Sequence, residues 1–300
     1  MIPRSWLFVP GDSERKLARS LDSGADAVIL DLEDAVVPER KPLAREMTAA
    51  FLRSRGQATD PALLPALLPA LWPALWVRVN ALSSGLMHED LAAVMPAGPA
   101  GILLPKPDSI ADVRELDRAL GVIETGIPGR GLTPVVAIAT ETALAVATLS
   151  GYVRPPERLL ALTWGAEDLS VELGARVNRE PDGEFRFTYQ LVRSLCQIAA
   201  ASSGRPAIET LSLDFRDLAA LARRARRAAE DGFSGMLAIH PAQVPVINAA
   251  FTPTAGQVEW ARRVLAAFAA APAAGAVQLE GRMLDRPHQV QAQRLLERVR

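Results

Sequence analysis

The sequence predicts an α/β protein: a single (β/α)8 TIM barrel with a C-terminal helical extension. Three observations carry this. There are eight short apolar, β-rich runs, there are helical patterns between them, and the chain has 300 residues, enough for the roughly 250 of a typical barrel plus extras. The runs span residues 6–10, 27–33, 75–80, 101–106, 134–140, 159–164, 207–213 and 236–240. They are continuously apolar rather than alternating, as parallel strands buried on both faces require. A doubly wound open sheet is the competing architecture. Gly11, in Val-Pro-Gly-Asp-Ser-Glu-Arg, belongs to no G-x-G-x-x-G fingerprint, which counts against it. The barrel is expected over residues 1–250 and the extension over 251–300.

The first run follows Met-Ile-Pro-Arg-Ser directly, with no long apolar stretch before it, so no signal peptide is expected. Between the second and third runs, residues 61–76 read Pro-Ala-Leu-Leu twice and then Pro-Ala-Leu-Trp twice. Proline at every fourth position removes a helical hydrogen bond in each turn, so a regular helix is not expected. The segment at about 61–74 is an insertion on the barrel face away from the chemistry. It is either a tolerated surface excursion or a subunit contact, since exposed Leu and Trp are unfavourable. The clearest helix covers residues 214–230, with Phe215, Leu218, Ala222, Ala225 and Ala229 as its apolar face and Arg216, Arg223, Arg226 and Arg227 mostly off it. After the eighth run the chain continues through 241–249, a helix around 256–270, and a tail, Gly-Arg-Met-Leu-Asp-Arg-Pro, that leads into a last helix. One barrel does not need this tail, which is expected to pack on another subunit or over the site.

Composition narrows the function. Lys plus Arg (33) nearly balances Asp plus Glu (34), so no bulk field favours nucleic acid or a membrane surface. No apolar run is long and clean enough to span a bilayer. Cys196 is the one cysteine, so no intramolecular disulfide forms, and it is expected as a core filler in a cytoplasmic enzyme.

Barrel enzymes work at the C-terminal ends of their strands. The polar residues there are Asp12, Glu33, Asp34, Arg78, Asn80, Lys106, Glu141, Glu167, Asp168 and His240. Glu141 and Asp168 follow neighbouring strands and can converge. Mg²⁺ takes oxygen ligands and commonly uses one or two carboxylates with waters and substrate oxygens, which suits this pair; helix N-capping is the other role open to Asp168. Three scattered histidines and one cysteine offer no zinc spacing. Arg78 lies in an apolar run and must be paired if buried. It serves either an ion pair with Glu33 or Asp34, or a substrate carboxylate or oxyanion. Lys106, in Leu-Leu-Pro-Lys-Pro, either holds the acidic cluster or attacks a carbonyl. His240, in Ala-Ile-His-Pro, is a packed strand-end residue or a general base. Gly165, with Ala166 and Glu167 after it, lets an anion approach backbone N–H groups.

Seven segments in order resemble the citrate lyase beta-chain-like branch of the HpcH/HpaI aldolase family. They are Arg-Ser-Trp-Leu-Phe-Val-Pro-Gly-Asp, Gly-Ala-Asp-Ala-Val-Ile-Leu-Asp-Leu-Glu-Asp-Ala-Val, Val-Arg-Val-Asn, Leu-Pro-Lys, Glu-Thr-Ala, Trp-Gly-Ala-Glu-Asp-Leu and Ala-Ile-His-Pro-Ala-Gln-Val. The resemblance implies a homotrimeric or hexameric (β/α)8 barrel. It implies Mg²⁺ held at Glu141 and Asp168, Arg78 on the substrate oxygen that becomes charged, and Asp285 acting as acid or base from a neighbouring subunit. Two departures stand out: Gly235-Met236 where the family often has Gly-Lys, and the Pro-Ala-Leu repeat. The activity implied is cleavage of a malyl-CoA- or citramalyl-CoA-type thioester to an acyl-CoA and a 2-oxo acid, with Arg78, Glu33, Asp34 and Asp285 in the catalytic set and Lys106 and the Gly165–Glu167 turn binding substrate. The alternatives are a citrate lyase beta chain working with an acyl-carrier subunit, a malate-synthase- or thioesterase-like enzyme, and a non-catalytic binding protein. Retention of Arg78, Glu141, Asp168 and Asp285 together argues against the last.

Overall fold

The structure, a computed structural model, describes residues 2–56 and 73–299. The chain divides into two compact units, Ile2–Ile247 and Asn248–Arg300. The first holds eight parallel strands: β1 (Ser5–Pro10), β2 (Ala27–Asp31), β3 (Ala74–Arg78), β4 (Gly101–Leu104), β5 (Val135–Ile138), β6 (Leu159–Thr163), β7 (Ala207–Ile208) and β8 (Met236–Ala238). Their order is β7-β6-β5-β4-β3-β2-β1-β8. A parallel bridge between Glu209 and Met236 joins the two ends of that order. It carries Glu209 N→Gly235 O at 2.8 Å and Leu237 N→Glu209 O at 2.9 Å. The barrel is therefore nearly closed, and the open sheet is excluded.

Every strand contributes to one inner core: Trp6, Ala27 and Ile29, Trp76, Leu103, Val136 and Ile138, Ala161, Ile208 and Leu237. The intervening residues, among them Leu7, Val28, Val77, Ile102 and Leu162, are also buried, on the face covered by the helices. Burial on both faces is why these strands read as unbroken apolar runs. Trp6 and Trp76 meet edge to face at 5.0 Å. A Cβ on Gly101 would lie 2.3 Å from the Trp76 ring, so the start of β4 has room for glycine alone.

All eight predicted strands exist, but several end earlier than expected. β2 stops at Asp31 rather than 33, β4 at Leu104 rather than 106, β7 at Ile208 rather than 213 and β8 at Ala238 rather than 240. Pro105 has no N–H to donate, which accounts for the end of β4. The polar residues therefore sit on the turns just beyond the strands. The Pro-Ala-Leu segment at 61–72 lies outside the described residues; its last copy, 73–76, runs into β3. The helix expected at 214–230 is Leu218–Asp231, capped by Asp217, whose Oδ1 accepts from Ala220 N at 2.8 Å. Its buried face is Leu221, Ala225 and Ala228, so the predicted face was turned by about one residue. Among the described residues no helix is long and apolar enough to cross a membrane.

The second unit pairs helices Ala255–Ala270 and Arg286–Leu296 over a core of Ala261, Val264, Phe268, Leu284 and Ala292. Between them is an antiparallel hairpin, β9 (Ala276–Leu279) and β10 (Arg282–Asp285), that the sequence analysis missed. Its two loop residues, Glu280 and Gly281, have φ of 50° and 76°. Positive φ at both loop positions is the hairpin turn that matches strand twist.

Candidate active site

The site is built from the turns that leave β2 to β6. Asp31 ends β2 directly opposite Arg78, the last residue of β3. Register thus places a fork against a carboxylate: Arg78 Nε donates to Asp31 Oδ1 at 2.7 Å and Nη2 to Oδ2 at 2.6 Å. Arg78 Nη1 stands 2.8 Å from Glu33 Oε2, and the guanidinium lies over the Phe8 ring at 4.8 Å. Burial works against the charge on Arg78, but Asp31 and then Glu33 outweigh it and hold the guanidinium above its ordinary value.

Asp31 was not in the predicted set. It is almost fully buried and also accepts from the backbone of Glu33 and Ala35 at 2.9 and 3.2 Å. The ion pair expected between Arg78 and Glu33 or Asp34 is mainly one with Asp31. The available signal was the acid at the strand end, two residues before Glu33, where a parallel neighbour ends in arginine.

Lys106 is the hub of the remaining charges. Its Nζ lies 2.6 Å from Glu33 Oε1, 2.7 Å from Asp34 Oδ2 and 3.2 Å from Asp168 Oδ1. Its backbone N–H donates to Glu141 Oε2 at 2.7 Å. Lys106 has φ of 49°, a left-handed backbone that costs a non-glycine residue on the order of 1 kcal/mol and persists where surrounding contacts hold it. Burial opposes the Lys106 charge, and Asp34 and Glu33 hold the ammonium well above its usual value. Its three carboxylate contacts give Lys106 the ion-pair role. The same contacts hold Asp34 below its ordinary value despite partial burial.

Glu141 is buried and pushed up to about 8, first by burial and then by the charges of Asp168 and Glu33. A Cβ on Gly165 would sit 2.7 Å from Glu141 Cγ, so glycine there makes room for this side chain. Asp168 lies in the first turn of the helix Glu167–Glu172, whose N-cap is Ala166, so Asp168 is not the cap. Glu167 accepts from Asn178 Nδ2 at 2.7 Å. Lys106 thus ties Glu141 and Asp168 into one site with Glu33 and Arg78.

That site fits a hard divalent cation. Burial first, and then the neighbouring carboxylates, hold the proton on Glu141, and the donors are carboxylate oxygens. Among the described residues no group of three or more His, Cys, Asp or Glu makes a metal cage. Two carboxylates that leave further positions to water and substrate match the habit of Mg²⁺ rather than that of structural Zn²⁺.

Other predicted polar residues have partners of their own. Asn80 N and Nδ2 both donate to buried Asp90 at 2.7 Å. Asp12 pairs with Arg40. His240 stacks on Phe215 at 4.7 Å and its Nδ1 accepts from Ala242 N at 3.1 Å, the packed role. Asp285 belongs to the second unit. It caps the helix Arg286–Leu296, with His288 Nδ1 2.6 Å from its Oδ1.

A family model for HpcH/HpaI aldolase/citrate lyase matches residues 4–241. The chain belongs to this HpcH/HpaI family. A citrate lyase subunit beta-like protein of Mycobacterium tuberculosis is 35% identical over 296 residues, covering 98% of this chain and 94% of that protein. The mitochondrial citramalyl-CoA lyase of Homo sapiens is 31% identical over 307 residues, covering 97% and 83%. The structure of protein CitE from Mycobacterium tuberculosis in complex with magnesium, acetoacetate and coenzyme A superposes with a TM-score of 0.77 at 33% identity, covering 98% of this chain and 97% of that one.

Proposed function

We propose that this chain is a Mg²⁺-dependent carbon–carbon lyase that cleaves a 3-hydroxy-3-carboxyacyl thioester, of the malyl-CoA or citramalyl-CoA type, to an acyl-CoA and a 2-oxo acid. The observation that carries this is the joining of Arg78, Lys106, Glu33, Glu141 and Asp168 at the carboxyl ends of the strands. Similarity along nearly the whole chain to a citramalyl-CoA lyase, and to CitE in complex with magnesium, acetoacetate and coenzyme A, supports it.

Glu141 and Asp168 would hold the metal, which when bound supplies Lewis-acid polarisation of hydroxyl and carboxylate oxygens. Glu33 Oε2 is buried and accepts no hydrogen bond, although Arg78 Nη1 is near. Burial raises the Glu33 carboxyl above its ordinary value, against the pull of Arg78 and Lys106. Glu33 is therefore placed to take the substrate hydroxyl proton at Oε2. As the O–H bond breaks, the new C=O forms and the carbon–carbon bond gives its electron pair to the acyl-CoA α-carbon. The negative charge spreads onto the thioester oxygen. Arg78 gives two of its five N–H groups to Asp31 and holds Nη1 2.8 Å from Glu33 Oε2, leaving N–H groups on its two terminal nitrogens for that oxygen. Such a donor is worth about 3 kcal/mol in the transition state. Asp34 and Lys106 hold the charge balance around Glu33. Asp285, acting from a neighbouring subunit of a homotrimer or hexamer, would protonate the enolate; the family resemblance supports this role.

The test is a coupled assay of malyl-CoA, citramalyl-CoA, methylmalyl-CoA and citryl thioesters, with and without Mg²⁺. Metal-dependent release of a 2-oxo acid from one of the CoA thioesters is expected. Turnover confined to a citryl thioester on an acyl-carrier protein would sink the CoA assignment.

A further inference from the structure

A charged pocket lies among the turns that follow β6 and β7 and the helices beside them. It is lined by Arg179, Glu184, Arg193, Glu209, Arg224 and Arg227, with Ser194, Thr210 and Gln190 adding polar atoms. Four guanidiniums face two carboxylates. Arg193 is matched, by Glu209 at 2.6 Å and Asp231 at 2.8 Å. Arg227 has Glu184 at 3.5 Å. Arg179 and Arg224 have no carboxylate partner within 4 Å among the described residues.

Both unmatched arginines lean on one carbonyl. Arg179 Nη1 donates to Gly183 O at 3.0 Å and Arg224 Nη1 reaches the same oxygen at 3.5 Å. Arg224 Nη2 is fixed by Ser212 Oγ at 2.8 Å, while its Nε is buried without a hydrogen-bond partner. Arg179 is held over the Phe185 ring at 3.7 Å. A guanidinium cannot shed its proton in a protein, so both charges persist. Two like charges a few ångströms apart in a half-buried pocket repel one another unless an anion joins them. Burial, and then Arg224, push Arg179 below its ordinary value, as that repulsion requires.

We propose that this pocket is an anion site for a phosphoryl dianion, with Arg179 and Arg224 as its two charge-bearing groups. Two guanidiniums with no carboxylate within 4 Å suit the negative charge of a phosphoryl group, and their planar forks suit its oxygens. The pocket's two arginines are not among the groups assigned to the lyase reaction. The pocket adjoins the turn after β6 by three contacts: Arg193 to Glu209, whose Oε1 accepts from Trp164 Nε1 at 2.6 Å; Phe185 edge to face on Trp164 at 5.0 Å; and Asn178, next to Arg179, donating to Glu167 at 2.7 Å.

The test is calorimetric titration of the whole protein with inorganic phosphate, in chloride buffer of matched ionic strength, for the wild type and for Arg179→Gln and Arg224→Gln. One saturable site per chain is expected, weakened at least tenfold in each variant that keeps the wild-type circular dichroism spectrum. The same titration repeated with CoA or dephospho-CoA present identifies the source. Displacement by CoA and not by dephospho-CoA assigns the phosphoryl to a CoA 3′-phosphate, and displacement by neither assigns it to free phosphate. No saturable phosphate binding to the wild type, or equal affinity in every folded variant, would overturn the proposal.

Discussion

Replacing Glu141 by glutamine should stabilise the metal-free protein, and should do so only at neutral to alkaline pH. Glu141 is pushed from 4.5 up to about 8, chiefly by burial and next by Asp168 and Glu33. A carboxyl raised on folding favours the folded state below its unfolded value, and that contribution is lost as pH rises towards the folded one. At about 1.4 kcal/mol per pH unit, the shift caps the penalty at about 5 kcal/mol above pH 8. Near pH 5 it is below about 1 kcal/mol. Glutamine copies the protonated form and still accepts the Lys106 N–H. The gap between Glu141→Gln and wild type should therefore widen by about 3–4 kcal/mol between pH 5 and pH 8, on the order of 10 °C in melting temperature. The assay is thermal unfolding in chelator across that range. A variant no more stable than wild type at pH 8, or an equal gap at both ends, refutes the idea that a desolvated, like-charge site raises this carboxyl.

Four further outcomes follow from the same contacts. Arg78→Lys keeps the charge but loses the fork to Asp31, so turnover should fall at least about 100-fold, roughly the 3 kcal/mol of one oxyanion donor, with a melting temperature lower by a few degrees; unchanged turnover counts against the oxyanion role. Gly165→Ala drives a methyl group to 2.7 Å from Glu141 Cγ, and the Mg²⁺ affinity measured by calorimetry should drop while the circular dichroism spectrum stays the same. Gly101→Ala meets the Trp76 ring at 2.3 Å and should cost about 1–3 kcal/mol in denaturant unfolding; Trp76→Leu in the same chain should recover part of that loss, and an additive double mutant would argue against the clash. Asp285→Asn, mixed and exchanged with inactive Glu141→Gln protein, should regain lyase activity in mixed oligomers, whereas no recovery after verified exchange would confine the tail to its own chain.

The strands and the site face were legible from local pattern. Eight apolar runs are enough for a barrel because burial on both faces leaves no polar alternation to obscure the count. Arg78, Glu141 and Asp168 could be singled out because each is charged and lies within or just after such a run. What failed did so where a signal depends on a neighbour. Asp31 looked like part of its strand, and only the pairing of β2 with β3 sets it against Arg78. The helix face at 218–231 was misplaced because Phe215, which precedes the helix, was counted as part of its apolar face. Arg224 was passed over, although it turns inward to Ser212.

By itself the sequence determined the fold class, the number of strands and the chemical types at their ends, because these follow from short-range periodicity and from the few residues that tolerate a strand's last position. Tertiary structure alone decided the partners. Lys106 joins Glu33, Asp34, Glu141 and Asp168, which lie up to 73 residues away along the chain, because barrel closure brings the turns after β2, β4, β5 and β6 together. The charge state of Glu141 was decided there too. Its proton affinity depends on lost solvent and on two carboxylates supplied by other strands, and no property of the Ile-Ala-Thr-Glu segment contains either.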